Sequence, residues 1–522
     1  MGGGWVVDIL LADPDEKIEA QLNYVKEMNL NTIRLEGFWG RNKKIYEMAD
    51  QNGILVMIGW SCQWEWEGYC GRPEEEFLMI NTPEEYVSHA RAYLDQVKWL
   101  RNHPSVFLWV YGSDKLLRPE LETMLNEFII EEDGTRPILG SCKYQESEVT
   151  GPTAVKMLGP YHYVTPNYWY LDTENGGAYG FNTETGPGLQ PAVLESIKKM
   201  IPEKDLWPMN EIWDYHTGRN EFASFELWIN PFTGRYGESA DVEEFAFKAQ
   251  MSNYEAVRAM FEAFVVNKHN ATGVIQWMLN SAFPNMLWQL YDWYLMPTGA
   301  YYGTKTALQP VNIIYNYGDK NIYISNVYNH PVENLTAEIR VFDLDSREIY
   351  SETLEVSIDE NSSKKIHDMP KLQGLTKTYF IDLRLKDQGE NVVGRNFYWL
   401  STKEDVLDWK NTQWHLTPNK SYADLTSIYD MPEAEVEVIF TSNETNGRIE
   451  APVKLKNLSD KIAFFTELTL KDNNGSAILP VYWEDNYVTL LPGEERDIKG
   501  YVNRKDYMDE TISLSCIFWN MK

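Results

Sequence analysis

Three carboxylates stand where short apolar strands give way to polar chain: Glu36 in TIRLEGF, Asp114 in WVYGSD and Glu184 in GFNTET. An acid set against apolar strand residues is costly unless it is paired or used. Each alone reads first as a loop cap or an ion-pair partner. Together, at strand ends, they point to an acid/base constellation. Two opposed carboxylates are the minimum equipment for cleaving a glycosidic bond: one protonates the leaving oxygen, the other attacks the sugar or activates water.

Aromatic residues recur near the same ends: Trp60, the run Tyr168-Trp169-Tyr170, and Trp277. Such faces stack on pyranose rings, so Tyr168, Trp169 and Trp277 are candidate substrate contacts. Asn280 reads either as a hydroxyl ligand or as a turn residue. His162 and His216 sit in loops and receive no role, and RPEEEF (72–77) reads as a solvated loop or helix start.

The elements that must position these groups come in two grammars. Up to about residue 305, helical patterns alternate with short apolar strands. In DEKIEAQLNYVKEMNL, Ile18, Leu22, Val25 and Met28 share one helical face ahead of the strand NTIRLEGF. Gly53 reads as a helix C-terminal cap, and Thr82-Pro83-x-Glu85 as a capping box with proline in the first turn. Strand and helix repeated close to eight times predict a (β/α)8 TIM barrel over 1–305, whose catalytic groups sit at the C-terminal ends of its strands. Beyond it the helices stop and apolar residues alternate with period two around Gly, Asp and Asn turns. Two immunoglobulin-like β-sandwiches are expected, over 306–405 and, with a Trp- and Pro-rich connector, over 406–522.

Composition narrows the partners. The 522 residues are 43% hydrophobic and 14% aromatic, with 19 Trp and 32 Tyr, which fits several packed domains and is compatible with sugar binding. A net charge of −31 argues against nucleic acid and anionic membranes, while tolerating a cationic substrate. No apolar run is long enough to span a membrane, and MGGGWVVDILL has no basic n-region. The four cysteines lack CxxC spacing and the eight histidines are scattered, so neither metal nor cofactor is called for. Cys62 and Cys70 could pair or stay free. The compartment stays open.

At these residues the sequence resembles glycoside hydrolase family 2, specifically its exo-β-D-glucosaminidase branch. The likeness runs through NTIRLEGF, HPSVFLWVYGSD, GPYHYVTPNYWY, GGAYGFNTETGPG, KAQMSNYEAVRAMFEA and IQWMLNSAFPNMLWQLYDWY, and on through LPVYWEDNYVTLLPGE. It implies a retaining enzyme with Asp114 as acid/base after the fourth strand and Glu184 as nucleophile on the seventh. Most of the family carries Asn-Glu at the acid/base; the glucosaminidase branch carries Ser-Asp, as Ser113-Asp114 does here. That exchange remodels the pocket around C2 of the sugar, and Glu36 is implied to hold a C2 ammonium. The implied activity is release of glucosamine from the non-reducing end of chitosan oligosaccharides. The alternatives are a β-mannosidase or other exo-β-glycosidase of the family, or a carbohydrate-binding fragment without turnover. Relatives carry further domains before the barrel, so the first strand is expected to be cut short, leaving an open edge, and a separately encoded or missing N-terminal segment is a possible partner.

Overall fold

The computed structural model describes residues 1–37, 43–62, 71–72, 75–77, 79–217, 225–509 and 511–522. Its first part is a parallel sheet of seven hydrogen-bonded strands. In sheet order these are Ile138–Leu139, Val106–Val110, Leu55–Gly59, Thr32–Leu35, Gly2–Trp5, Ala271–Gln276 and Gly180–Thr185. The strands are short and buried on both faces, as helix-covered parallel strands must be. The expected caps form: Gly53 adopts φ 67° after the helix Lys44–Asn52, and Thr82 and Glu85 close a capping box at the start of Pro83–Leu100.

The first strand is indeed short, four residues beginning at Gly2, but it leaves no edge. Gly2–Trp5 pairs with Thr32–Leu35 on one side, and Gly2 and Gly3 pair with Ile275 and Gln276 on the other. Glycine is needed at position 4, where a Cβ would come within 2.4 Å of the Trp277 ring. The irregular stave is instead the sixth. Between Ile138–Leu139 and Gly180–Thr185, closure runs through Lys156, whose amide donates to the Phe181 carbonyl at 2.9 Å and whose carbonyl accepts from Thr183 N at 2.9 Å. The Thr183 hydroxyl adds a 2.8 Å bond to the Cys142 carbonyl.

The helix Val242–Val266 ties the barrel to the β domains and is buried almost all round. Asp241 caps it by accepting from Glu243 N and Glu244 N. Arg258 donates to the Phe397 carbonyl at 2.6 Å, and Glu262 accepts from Asn396 and Tyr398 of the next domain. That domain packs the sheet Val311–Tyr315, Ile322–Asn326, Ser362–His367 against a four-stranded antiparallel sheet centred on Val332–Asp343 and Thr378–Lys386. Its core of Ile313, Ile324, Ala337, Ile339 and Leu383 is its own. The final β domain, from Val436 to Ile517, instead shares a continuous core with the barrel, with Phe465 packing on Phe247 and Tyr254 of the long helix. Among the described residues no helix is long and apolar enough to cross a membrane, and no cluster of three or more metal-ligating side chains occurs.

Candidate active site

The strand Gly180–Thr185 carries four consecutive buried polar residues, Asn182 to Thr185. Buried polar groups require partners, and here they find them across the barrel. Glu184 is gripped at both oxygens: Oε2 accepts a short bond from Arg34 Nη1, and Oε1 accepts from the Tyr161 hydroxyl at 2.7 Å.

Arg34, in the second strand between Ile33 and Leu35, is the centre of the arrangement. The same Nη1 reaches the Thr183 carbonyl at 3.2 Å, and Nη2 donates to Ser113 Oγ at 2.7 Å. Ser113 Oγ donates in turn to Glu36 Oε1 at 2.9 Å, and Arg34 Nη2 lies 3.8 Å from that same oxygen. The Trp277 ring covers the guanidinium, 5.0 Å from its centroid. Beside this line, Asp114 donates its amide to Cys62 Sγ at 3.1 Å and pairs through Oδ1 with Lys143 Nζ at 3.0 Å.

The electrostatics follow from burial and crowding. Burial pushes the Glu184 carboxyl up to about 7; Arg34 opposes the shift, and the negative charges of Glu36 and Asp114 reinforce it. Burial alone would weaken the Arg34 charge, yet the carboxylates of Glu184 and Glu36 around it more than restore it. Burial also works against Lys143, but Asp114 and, beyond it, Glu184 hold its ammonium above the usual lysine range. The Cys142 thiol is pushed up to about 12 by burial and the surrounding carboxylates, against the pull of Arg34, so it stays a neutral filler. One buried carboxylate poised near neutrality beside two others and a fixed arginine can attack an electrophilic carbon and then be displaced from it.

Of the residues singled out in the sequence, the structure brings together Asp114, Glu184, Glu36, Ser113 and Trp277. It places Tyr168, Trp169 and Asn280 elsewhere in function. Tyr168 and Trp169 lie on the one-turn helix Tyr168–Leu171, at 1% and 0% exposure, so neither offers a ring face to a sugar. Tyr168 instead accepts from Gly176 N and packs at a tilt against Trp409, with ring centroids 5.8 Å apart. Asn280 braces the barrel mouth: its Oδ1 accepts from Val6 N, and its two amide protons go to the Val6 carbonyl and Gln21 Oε1. With both donors committed and 3% exposure, its role here is that of a loop tie. Cys62 is a free thiol, and Cys70 lies outside the described residues.

Sequence reasoning missed Arg34, Lys143 and Tyr161. Arg34 had a signal, a lone cation between two apolar residues of a barrel strand. The others did not, because their relevance depends on contacts made far along the chain.

Comparison with known proteins defines the class. Residues 13–172 match the family model "Glycosyl hydrolases family 2, TIM barrel domain", 318–403 the "Mannosidase Ig/CBM-like domain", and 414–521 the "Exo-beta-D-glucosaminidase Ig-fold domain". The chain belongs to glycosyl hydrolase family 2. Within that family it is similar to proteins named exo-beta-D-glucosaminidase. The one from Streptomyces avermitilis is 35% identical over 535 residues, covering 99% of this chain and 58% of its own, and that from Arthroderma benhamiae is 34% identical over 509, covering 95% and 57%. The crystal structure of the Amycolatopsis orientalis exo-chitosanase CsxA superposes with a TM-score of 0.93 at 32% identity, over 100% of this chain and 63% of that one. The chain thus spans a little over half the length of the curated relatives it matches.

Proposed function

We propose that the chain is the catalytic portion of a retaining exo-β-D-glucosaminidase that releases glucosamine from the non-reducing end of chitosan oligosaccharides. The observation that carries this reading is the Glu36–Ser113–Arg34–Glu184 line. It sets a second carboxylate, steered by a serine hydroxyl, beside the carboxylate that would attack the sugar. A substrate ammonium at C2 is the natural complement of Glu36, through a charge-assisted hydrogen bond. An Asn at position 113 would present an amide donor to a hydroxyl instead. CsxA has been solved in complex with PNP-beta-D-glucosamine, which supports an amino-sugar substrate.

In the proposed mechanism Glu184 Oε attacks the anomeric carbon as the C1–O bond breaks, and Asp114 delivers its proton to the departing oxygen. Asp114 then takes a proton from water, which attacks the same carbon and releases Glu184 as a carboxylate. Arg34 and Tyr161 hold Glu184 in one orientation and would let go of part of its charge as the ester forms. The test is turnover of aryl β-D-glucosaminide, β-D-mannoside and β-D-galactoside by this chain and by Asp114→Asn and Glu184→Gln. Preference for the glucosaminide, abolished by either substitution, is the expected result. Unchanged turnover in either variant removes the assignment.

A further inference from the structure

The connector between the two sandwiches reaches back to the barrel mouth. Gln413 N and Leu416 O are 2.8 Å apart, closing a turn with Trp414 and His415 at its tip. The His415 carbonyl accepts two barrel amides, from Tyr161 at 2.8 Å and His162 at 3.1 Å. The turn is seated on Gly159, which has φ 67° and where a Cβ would lie 2.4 Å from the Trp414 carbonyl oxygen. The Trp414 ring meets the Tyr161 ring edge-on, with centroids 5.8 Å apart. Tyr161 is the residue whose hydroxyl holds Glu184.

These rings form a gradient from the site outward. Tyr161, Trp288 and Trp277 pack together and are 4%, 7% and 9% exposed, whereas Trp414 is 55% exposed. The turn that carries this half-exposed indole is fixed to the barrel by the backbone bonds at His415, and the indole stands one ring away from Glu184. An exo-acting pocket needs such a surface just outside the sugar being released, where the C–H face of the next residue can stack. From this geometry, and resting on the glucosaminidase reading above, we propose that Trp414 is the aromatic wall of the acceptor-sugar site, so that the connector supplies preference for oligosaccharide over single-sugar substrates.

The test uses the full chain with Glu184→Gln to prevent turnover, and compares binding of β-1,4-linked glucosamine disaccharide with glucosamine, by calorimetry, with and without Trp414→Ala. Trp414→Ala is expected to weaken the disaccharide roughly ten-fold while leaving glucosamine within about two-fold, and Trp414→Phe should recover most of the loss. In the chain that retains Glu184, Trp414→Ala should lower kcat/KM on the disaccharide by a similar factor and leave β-glucosaminyl fluoride, which has no acceptor sugar, nearly unchanged. Equal losses on both ligands, no loss on either, or a disaccharide that binds no better than glucosamine overturns the inference. Failure of the glucosaminidase reading shows separately, as absent preference for glucosaminyl over mannosyl fluoride in the chain with Trp414 intact.

Discussion

Arg34 bridges the two halves of the site, donating to Glu184 from one arm of its guanidinium and to Ser113 Oγ at 2.7 Å from the other. The residue that orients Glu184, the proposed nucleophile, therefore also fixes the serine that bonds Glu36.

Replacing Arg34 with Lys should damage both functions at once. A point charge on a flexible stem cannot keep the forked contact. Removing the charge, as in Arg34→Met, leaves buried carboxylates unpaired and should cost about 3–5 kcal/mol of stability. Turnover is expected to fall sharply in both, with the melting temperature dropping much further in Arg34→Met. A Lys variant with wild-type kcat/KM contradicts this role.

The rate should depend on pH through Glu184. Its carboxyl is raised to about 7, chiefly by burial, and only the ionised form can attack. The kcat/KM of the free enzyme should therefore fall as pH drops below about 7. A bound substrate ammonium near Glu36 and Glu184 favours the carboxylates' charged forms. The acidic limb of kcat should thus lie at lower pH than that of kcat/KM. Coincident limbs would argue that no cation enters the site.

Glu36→Gln keeps the shape and removes the charge. Losing a charge-assisted hydrogen bond, worth about 1.5–3 kcal/mol, should lower kcat/KM on a glucosaminide by about 10- to 100-fold. The corresponding glucoside, with a neutral C2 substituent, should be affected less. Parallel kinetics on the two substrates decide the matter.

Asn280→Ala should be a stability variant rather than a binding one. It removes three hydrogen bonds that tie Val6 and Gln21 to the eighth strand's loop. With groups left unpaired, a loss of about 3 kcal/mol is expected. Denaturant unfolding would register it, while KM at a permissive temperature should move little.

The long helix holds a second carboxyl raised to about 7, Glu262, again by burial, with Arg258 and the hydrogen bonds from Tyr398 and Asn396 opposing. Because its folded value lies above the unfolded one, its contribution to stability is full below the ordinary glutamate range and is lost as pH rises through about 7. Glu262→Gln, which cannot ionise, should gain on the unsubstituted chain by about 2 kcal/mol between pH 5.5 and pH 8.5. Melting curves across that range would show it, and a pH-independent difference would contradict it.

The local patterns were legible because they are local. Helical period, capping residues and short apolar strands mark out a barrel, and a carboxylate at or just past the end of such a strand falls at the mouth whatever the rest of the chain does. Glu36, Asp114 and Glu184 could be found that way, and the Ser113-Asp114 pair carried the family resemblance. Composition could not separate Trp277, which lies against Arg34, from Trp169, which is sealed in the core, since both are tryptophans near strand ends. Nor does strand patterning say which stave is irregular: the sixth, at Lys156, closes through single hydrogen bonds that leave no periodic trace. What only the tertiary structure decided are the contacts across the barrel and between domains. Arg34 meets Glu184 across 150 positions of chain, and Tyr161 meets Trp414 across 253. Such pairs are set by how strands close into a barrel and where a connector returns, and those are properties of the packed whole.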